Sequence, residues 1–373
     1  MDLTELRGQL DVVDAELVRL FEKRMEICGE VAEYKKETGR KVYDQAREQE
    51  KIRKVRAQAS NPFNEKCMEE LFMQLMSMSR KMQYSKLAET RERRLPFIAV
   101  DALDTSAYVV YQGAEGSYSQ AATEAYFGKT AKIMNVETFR DAMLALEEGS
   151  AAFAVLPIEN STAGIVSEIY DLLAEFEHFI VGEQMIRIEH CLLGVEGTTE
   201  ESIRTVYSHP QSLMQCEHFL RQHSAWEQIS MKNNAFAARK VAEEKDITQA
   251  AIAGAHAAEA YGLQILKRGV NQAGNNTTRF IIVSNQKIFL KNAGKISLCF
   301  EVPHESGSLY HILSHFIYND LNMTKIESRP VEGRAWEYRF FLDFDGNLAD
   351  AAVRNALCGL REETRNLRIL GNY

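Results

Sequence analysis

A cationic side chain interrupts an apolar repeat near the start of the chain. Apolar residues recur every three or four positions from Leu3 to Tyr34, which predicts one amphipathic helix, and Arg24 occupies a position on its apolar face. A buried guanidinium costs on the order of several kcal/mol unless an anion pairs with it. Lys35, eleven residues later, falls within about 20° of the same face. The spacing therefore predicts either a register-setting ion pair or a pocket for an anionic ligand.

Two further helices follow and complete a helical segment over residues 1–87. We expect the first helix to end near Gly39, a second to begin at the N-cap Asp44, and a third to begin near Asn64. Ser79 and Gln83 on the third helix are i,i+4 neighbours, so their side chains share one face.

Arg7 extends the set of candidate anion-binding groups on the first helix. It lies 17 residues before Arg24, and at 100° per residue it points about 100° away from it. One straight helix therefore cannot aim both side chains at one ligand. In an antiparallel dimer of such helices, Arg7 would serve the pocket of the partner chain.

The segment from Leu3 to Gln83 resembles the all-helical chorismate mutases. The pattern LxxLRxxLxxxDxxLxxLxxxR is followed in order by Lys35, DxxRE and SxxxQ. The resemblance implies an intertwined dimer that rearranges chorismate to prephenate, a Claisen reaction that needs neither nucleophile nor metal. It implies that Arg7 and Arg24 bind the two carboxylates, and that Lys35 and Gln83 donate to the ether oxygen. The other substrate-binding residues that it implies are Asp44, Arg47, Glu48 and Ser79.

Polar turns beside apolar strands mark the central part of the chain. They are a Gly-rich turn at 113–119, the polar end of a strand at 151–161, a strand and helix at 205–216, and an Asn- and Thr-rich turn at 274–284. Such residues at strand ends are where open α/β sheets bind ligands, and a helix N-terminus attracts anions. Each alone could be an ordinary turn, but together they predict a cleft. No GxGxxG or GxxxxGK[ST] motif is present, which disfavours dinucleotide and P-loop sites.

The same turns resemble those of the prephenate dehydratases. The motifs GxxGSYSQxA, VxPIENSxxG, VYSHPQxxxQC and NxTRF occur in this order, with Ala114 where the family usually has Pro. The resemblance implies two α/β lobes around a cleft in which prephenate loses carbon dioxide and its ring hydroxyl. It implies that Thr278 contacts the leaving hydroxyl and that Arg279 binds a carboxylate. The other cleft residues that it implies are Ser117, Tyr118, Ser119, Glu159, Asn160, Ser161, Ser208 and Gln215.

Residues 295–373 read as strand, helix, strand, strand, helix and strand, which is the α+β ferredoxin-like order. This region resembles an ACT domain, and the resemblance implies a phenylalanine site between paired domains. A purely structural pair is the alternative. The two motifs that would form the effector site are Gly307-Ser308-Leu309-Tyr310, where the family commonly has Gly-Ala-Leu-Val, and Glu327-Ser328-Arg329-Pro330.

The composition of the chain argues against several classes of function. The net charge of −9 argues against a nucleic-acid surface, although residues 1–95 hold 20 Lys and Arg against 18 Asp and Glu. The six scattered cysteines predict reduced thiols, and the charged N-terminus and lack of a long apolar run predict a cytoplasmic protein that does not enter a membrane. We expect no cofactor and no metal, since His311 and His315 lack a carboxylate placed to complete a site.

The sequence thus predicts three domains: a helical domain at 1–87, an α/β domain at 107–286 and an α+β domain at 295–373. Residues 88–106 are expected to be a linker, in which Arg91, Arg93 and Arg94 form a solvated helix end. We expect a homodimer or a dimer of dimers acting on chorismate and prephenate, with phenylalanine as effector. Two alternative functions are disfavoured. A mutase fused to a dehydrogenase would need a GxGxxG motif, which the sequence lacks. A solute-binding protein would not need the complete set of mutase residues.

Overall fold

The computed structural model describes residues 2–90, 96–305, 307–334 and 336–373. The chain divides into two compact units. The helical unit consists of Met1–Leu95 with Gly294–Arg368, and the cleft unit consists of Pro96–Ala293 with Ile369–Tyr373. The N-terminal helices therefore share a unit with most of the C-terminal segment. The predicted basic end at Arg91, Arg93 and Arg94 lies outside the described residues.

Three helices open the chain where the sequence predicts them. Helix α1 spans Leu3–Thr38, α2 spans Gln45–Arg56 and α3 spans Pro62–Thr90. Asp2 caps α1 through a capping box, and Asp44 caps α2 by accepting from the Arg47 backbone N–H. Helix α3 begins two residues earlier than predicted, because proline suits the first helical position.

The cleft unit alternates short strands and helices. Its elements are β1 (Ile98–Val100), β2 (Tyr108–Gln112), α4 (Tyr118–Phe127), β3 (Lys132–Val136), α5 (Phe139–Glu147), β4 (Phe153–Asn160), β5 (Gly164–Ile165), α6 (Ser167–Glu175), β6 (Phe179–Arg187), β7 (His190–Gly194), β8 (Thr205–Ser208), α7 (Pro210–Gln215), α8 (Glu217–Gln222), β9 (Glu227–Ser230), α9 (Asn234–Glu244), β10 (Gln249–Gly254), α10 (Ala255–Tyr261), β11 (Gln264–Lys267), β12 (Thr277–Ser284) and β13 (Ile288–Leu290).

Two main sheets give the cleft unit two lobes. The first has the strand order β6-β12-β4-β2-β3, with β5 paired to β4, and the second has the order β11-β7-β10-β8-β9. Each sheet has its own buried cluster, with Phe280 and Val155 in the first lobe and Leu193 and Ile252 in the second. Apolar burial on this scale stabilises each lobe separately. Strands β1 and β13 form a small parallel pair.

The C-terminal elements follow the predicted order of strand, helix, strand, strand, helix and strand. They are β14 (Lys295–Glu301), α11 (Ser308–Tyr318), β15 (Met323–Pro330), β16 (Tyr338–Asp345), α12 (Ala351–Glu363) and β17 (Arg365–Asn372). Strand β16 pairs antiparallel with both β14 and β15. In the helical unit, α11 and α12 pack against α3. The end of β17 belongs to the cleft unit, where Gly371 pairs with Ile180 of β6.

Candidate active sites

A cavity of about 1110 Å³ lies in the cleft unit. Residues of both lobes line it, as expected for a ligand cleft. Gly116 lets the lobes approach, since its φ is +74° and a Cβ there would lie 2.9 Å from the Ala257 Cα. Six of the predicted cleft residues line the cavity: Ser117, Tyr118, Ser119, Asn160, Gln215 and Thr278.

The Thr278 hydroxyl is held by an amide from the neighbouring strand. The register of β12 and β4 places Thr278 opposite Asn160, whose Nδ2 donates to the Thr278 Oγ1 at 2.8 Å. The Asn160 Oδ1 accepts from the backbone N–H groups of Thr162 and Ala163 at 3.0 and 2.9 Å, which fixes the amide orientation. Because the Thr278 oxygen accepts this bond, its own proton is polarised and can be donated to a ligand.

Gln215 joins polar groups on several elements around the cavity. Its Oε1 accepts from the Asn276 Nδ2 at 3.3 Å and lies 3.0 Å from the His190 Nε2, and its Nε2 donates to Thr162 at 3.1 Å. The Tyr118 hydroxyl lies 3.0 Å from the His190 Nδ1. Burial lowers the pKa of His190 and raises the pKa of Tyr118, so both are neutral near pH 7. The network can position ligands without adding charge.

Three helices begin at the wall of this cleft, which also includes the acidic residue Glu168. The cavity wall includes the first residues of α4, α6 and α9, where backbone N–H groups and the helix dipole favour anions. Ser117 caps α4 and Asn233 caps α9. Among the described residues that line the cavity, none is Lys or Arg. An anionic ligand in this cleft would therefore be bound through N–H groups.

The structure corrects the placement of two predicted cleft residues, Glu159 and Arg279. Neither lines the cavity, because strand residues alternate between faces and Arg279 follows Thr278 directly. The Arg279 guanidinium instead donates to Glu183 at 2.8 Å, to Glu159 at 3.0 Å and to the Tyr373 hydroxyl at 2.6 Å. Arg279 thus links β12 to β4, to β6 and to the residue after β17, and its binding of a substrate carboxylate stays a prediction.

Ser161 and Ser208 were also expected to line the cleft, and the structure places both elsewhere. Ser208 is fully buried and donates to the Ile252 carbonyl at 2.7 Å. Ser161 accepts from the Thr277 backbone N–H at 3.0 Å, which fastens the turn after β4 to the start of β12. The Ser208 hydroxyl also lies 2.9 Å from the Asn234 Oδ1, and the Ser161 hydroxyl contacts backbone groups. Among the cleft residues that the sequence reasoning missed are Thr162, His190, Asn234, Asn271 and Asn276.

In the helical unit, Arg24 and Ser79 are in direct contact. The Arg24 Nη1 donates to the Ser79 Oγ and, at 3.0 Å, to the Leu75 carbonyl. The predicted neighbour Gln83 is only 6% exposed, and its Oε1 has no hydrogen-bond partner among the described residues. A buried amide oxygen without a partner is costly, so this group is available to a ligand.

Lys35 lies beside acidic residues of the second helix. Its Nζ donates to the Val42 carbonyl at 2.7 Å. Burial lowers the pKa of Lys35, and the charges of Glu362, Asp44 and Glu48 offset part of that effect. The structure thus brings Lys35, Asp44 and Glu48 together around the end of α1, while Arg47 is exposed.

Arg7 does not reach these residues within one chain. At 1.5 Å per residue, it lies roughly 25 Å along α1 from Arg24. The apolar positions of α1 are exposed, with Leu3 at 63% and Leu10 at 61%. Exposed apolar stripes of this length are typical of protein interaction surfaces.

Arg80 is a charged residue of this region that the sequence reasoning missed. Its Nη1 donates to both oxygens of Glu48, at 2.6 and 2.5 Å. The signal was present in the sequence, because Arg80 lies between the two predicted residues Ser79 and Gln83.

The two predicted effector motifs lie on different elements of the helical unit. Gly307, with φ of +81°, is the N-cap of α11, and Ser308, Leu309 and Tyr310 form its first turn. The Tyr310 hydroxyl accepts from the Gln74 Nε2 at 3.4 Å. The second motif, Glu327-Ser328-Arg329-Pro330, ends β15.

Three further observations concern the described residues only. No helix there is both long and apolar enough to span a membrane. No three His, Cys, Asp or Glu side chains cluster as metal ligands would. All six cysteines are free thiols.

Comparison with known proteins matches both parts of the chain to enzyme families. Residues 6–84 match the family Chorismate mutase type II, and residues 109–288 match the family Prephenate dehydratase. A bifunctional chorismate mutase/prephenate dehydratase of Neisseria gonorrhoeae is 34% identical over 368 residues, which cover 98% of this chain and 95% of the relative.

Two solved structures resemble most of the chain. A prephenate dehydratase from Arthrobacter aurescens in complex with L-Phe is 28% identical, with a TM-score of 0.66, and the match covers 71% of this chain and 89% of that one. GqqA, described as a novel type of quorum quenching acylase, is 34% identical with the same TM-score, over 71% of this chain and 97% of that one. The helical mutase segment, the two-lobed α/β fold and the full-length relative together show that this chain belongs to the bifunctional chorismate mutase/prephenate dehydratase family.

Proposed function

We propose that the chain rearranges chorismate to prephenate in its helical unit and converts prephenate to phenylpyruvate in the cleft. The hydrogen bond from Asn160 to Thr278 carries the proposal, because it prepares a hydroxyl donor inside a cleft that attracts anions. The family membership and the contact between Arg24 and Ser79 support the first step.

The mutase reaction requires compaction of a dianion and stabilisation of charge at the breaking ether bond. Arg24 and Lys35 supply two of the cations, and the buried amide of Gln83 would donate to the ether oxygen once the substrate is bound. Arg7 would come from a second chain, packed along the exposed apolar stripe of α1. The functional mutase is therefore a dimer in this proposal.

The dehydratase reaction breaks two bonds of prephenate. The electron pair of the ring C–carboxylate bond enters the ring as carbon dioxide leaves, and the ring C–O bond breaks as the hydroxyl leaves. Thr278 donates a hydrogen bond to that hydroxyl as negative charge develops on it, and the departing group takes a proton and leaves as water. The N–H groups at the starts of α4 and α9 hold the carboxylate that remains.

Acyl transfer, the activity in the description of GqqA, is less well supported by this site. The hydrogen-bond partner of the Thr278 oxygen is the Asn160 amide, which donates a proton and cannot accept one as a general base would. The site therefore favours a role for the Thr278 hydroxyl as a hydrogen-bond donor over a role as a nucleophile.

The C-terminal segment would serve as an ACT domain that binds phenylalanine. The related A. aurescens enzyme was solved with L-Phe bound, and the strand β15 pairs with β16 on one side. Effector motifs on α11 and β15 would face the same motifs of a second chain. Inhibition requires that phenylalanine bind the less active state more tightly.

The activities are tested with purified full-length chain and chorismate, in buffer containing a metal chelator. We expect phenylpyruvate to form, with prephenate as a transient intermediate. Persistent prephenate would overturn the dehydratase assignment, and unconsumed chorismate would overturn the mutase assignment.

Regulation is tested by adding phenylalanine to the dehydratase assay of wild-type and Arg329→Ala chains. We expect inhibition of the wild type and weaker inhibition of the variant. Thr324→Ala changes an exposed residue of the same strand and serves as the control. Equal inhibition of all three chains would remove the proposed role of the Arg329 motif.

A further inference from the structure

Arg80 is the centre of a buried charge cluster in the helical unit. Its side chain is 8% exposed and lies between Glu48 of α2 and Glu363 of α12. Besides its two bonds to Glu48, Arg80 donates from Nε to Glu363 at 2.8 Å and from Nη2 at 3.3 Å. One guanidinium therefore joins the mutase helices to the C-terminal segment.

The cluster is charged across the neutral pH range. Burial acts to lower the pKa of Arg80, but the Glu363 and Glu48 carboxylates raise it above its ordinary value. Burial acts to raise the pKa of Glu363, but His315 and Arg80 lower it to about 2. Removal of Arg80 would leave two carboxylates without this shared cation, which is far more costly than the loss of an exposed ion pair.

A second acidic residue of α12 strengthens the same junction. Glu362 accepts from the Tyr43 backbone N–H at 2.9 Å and from the Tyr84 hydroxyl at 3.2 Å. Tyr43 precedes the N-cap of α2, and Tyr84 follows Gln83 on α3. Helix α12 therefore contacts α3 and the segment that leads into α2, two of the three helices that carry predicted mutase residues.

The position of Glu48 depends on this cluster. Glu48 is a substrate-binding residue in the proposed mutase function, and the Arg80 Nη1 contacts both of its oxygens. Glu48, Arg80 and Glu363 also line a cavity of about 850 Å³, so a released carboxylate has room to move. If Arg80 is removed, the carboxylates of Glu48 and Glu363 would repel each other. Glu48 would then leave the position in which it contacts the substrate.

We propose that Arg80 is a positioning residue of the mutase site and that Glu363 makes the C-terminal segment part of the support of that site. This inference rests on the proposed mutase function. It assigns to α12 a task in catalysis that is separate from effector binding.

The first test compares Arg80→Met with Arg80→Lys in the full chain, using steady-state mutase and dehydratase assays. We expect Arg80→Met to lower mutase kcat/KM by about 10- to 100-fold and Arg80→Lys to recover part of the loss. Glu363→Gln should lower mutase kcat/KM less than Arg80→Met does, because Arg80 keeps its contact with Glu48. Dehydratase kcat/KM should stay within about twofold, because the cleft belongs to the other unit, and far-UV circular dichroism should show that the helical unit keeps its helix content.

Arg56→Met is the matched control for these variants. Arg56 also joins α2 to α3, through Glu65 at 2.7 Å and Glu69 at 3.3 Å, but its side chain is 45% exposed. We expect Arg56→Met to leave mutase kinetics unchanged, because exposed ion pairs contribute little.

A double-mutant cycle separates positioning from general destabilisation. If Arg80 acts through Glu48, Glu48→Gln combined with Arg80→Met should lower kcat/KM by less than the product of the two single effects. Independent effects, or wild-type kinetics in both Arg80→Met and Glu363→Gln, would overturn the proposal. A wild-type chain without mutase activity would overturn the proposed function itself, and the two failures are therefore distinguishable.

Discussion

The two catalytic regions offer different binding groups to anionic ligands. The helical unit uses side-chain charges, with Arg24 at Ser79 and the partly buried Lys35. The cleft has no Lys or Arg among the described residues of its wall and presents helix N-termini and amides. Full charges can compress a flexible diacid and stabilise a developing charge, whereas oriented N–H groups hold a carboxylate without a strong field at the leaving hydroxyl.

The two regions also differ in how closely their predicted site residues lie together within one chain. The cavity of the cleft unit is lined by six of the residues that the sequence predicts there. In the helical unit, Arg7 lies far from Arg24 along α1, and the apolar stripe beside it is exposed. In the proposed function, only the mutase site therefore needs a residue of a second chain.

The largest effect should follow removal of the cleft hydroxyl. Thr278→Ala should lower dehydratase kcat by about 10²- to 10³-fold, because a donor aimed at developing charge is lost. Phenylpyruvate formation from prephenate measures the change, and mutase activity should be unaffected. Thr277→Ala, at the adjacent position, is the control and should stay near wild type. A similar loss in both reactions would indicate misfolding and would contradict the assignment.

The second effect tests the amide that holds this hydroxyl. Asn160→Asp keeps an acceptor for the Thr162 and Ala163 N–H groups but removes the N–H donated to Thr278. We expect dehydratase kcat to fall by about 10- to 100-fold, because Thr278 loses its polarising donor, and KM to rise as well, because the new carboxylate repels an anionic substrate. A rise in KM with unchanged kcat would contradict the polarising role of Asn160.

The third effect separates the two sites by pH. Mutase kcat/KM should fall as pH rises through the pKa of Lys35, because the charged form is the donor and burial places that pKa below its ordinary value. Dehydratase activity should lack this alkaline limb, since no lysine lines the cleft among the described residues. Lys36→Gln, which changes the adjacent residue, should keep the limb in the mutase profile. A mutase profile that is flat up to the ordinary lysine range would contradict the role of Lys35.

The smallest effect concerns salt. Raising ionic strength from about 0.05 to about 0.5 M should lower mutase kcat/KM several-fold, because screening weakens attraction between side-chain cations and a dianion. The dehydratase should respond less, since its N–H groups act at contact distance. Parallel titrations on one preparation measure both, and an equal response would remove the electrostatic contrast between the two sites.

The sequence predicted the elements better than it predicted the contacts between them. The three helices, the two-lobed α/β region and the polar turns followed from local patterns and the family resemblance, because capping, periodicity and turn residues act over short distances. Asn160 and Thr278 were each recognised as site candidates from separate sequence motifs. Their hydrogen bond depends on the register between β4 and β12, which no local pattern specifies.

Long-range partners account for the differences between prediction and structure. Arg279 was expected at a ligand, but Tyr373, 94 residues later, and two strand carboxylates bind its guanidinium. The role of Arg80 was missed because its partner Glu363 lies 283 residues away. Charged residues near a motif were visible in the sequence, whereas the counter-charges that decide their roles became visible only in the fold.

The final strand closes one edge of the first sheet of the cleft unit. Gly371 pairs with Ile180 on β6, and a Cβ at this glycine would collide with the Ile180 carbonyl, so this close fit needs glycine. The two paired residues are 191 positions apart in the sequence. Closing this edge therefore requires a contact of very high sequence separation, and such contacts form more slowly during folding than contacts between neighbouring elements.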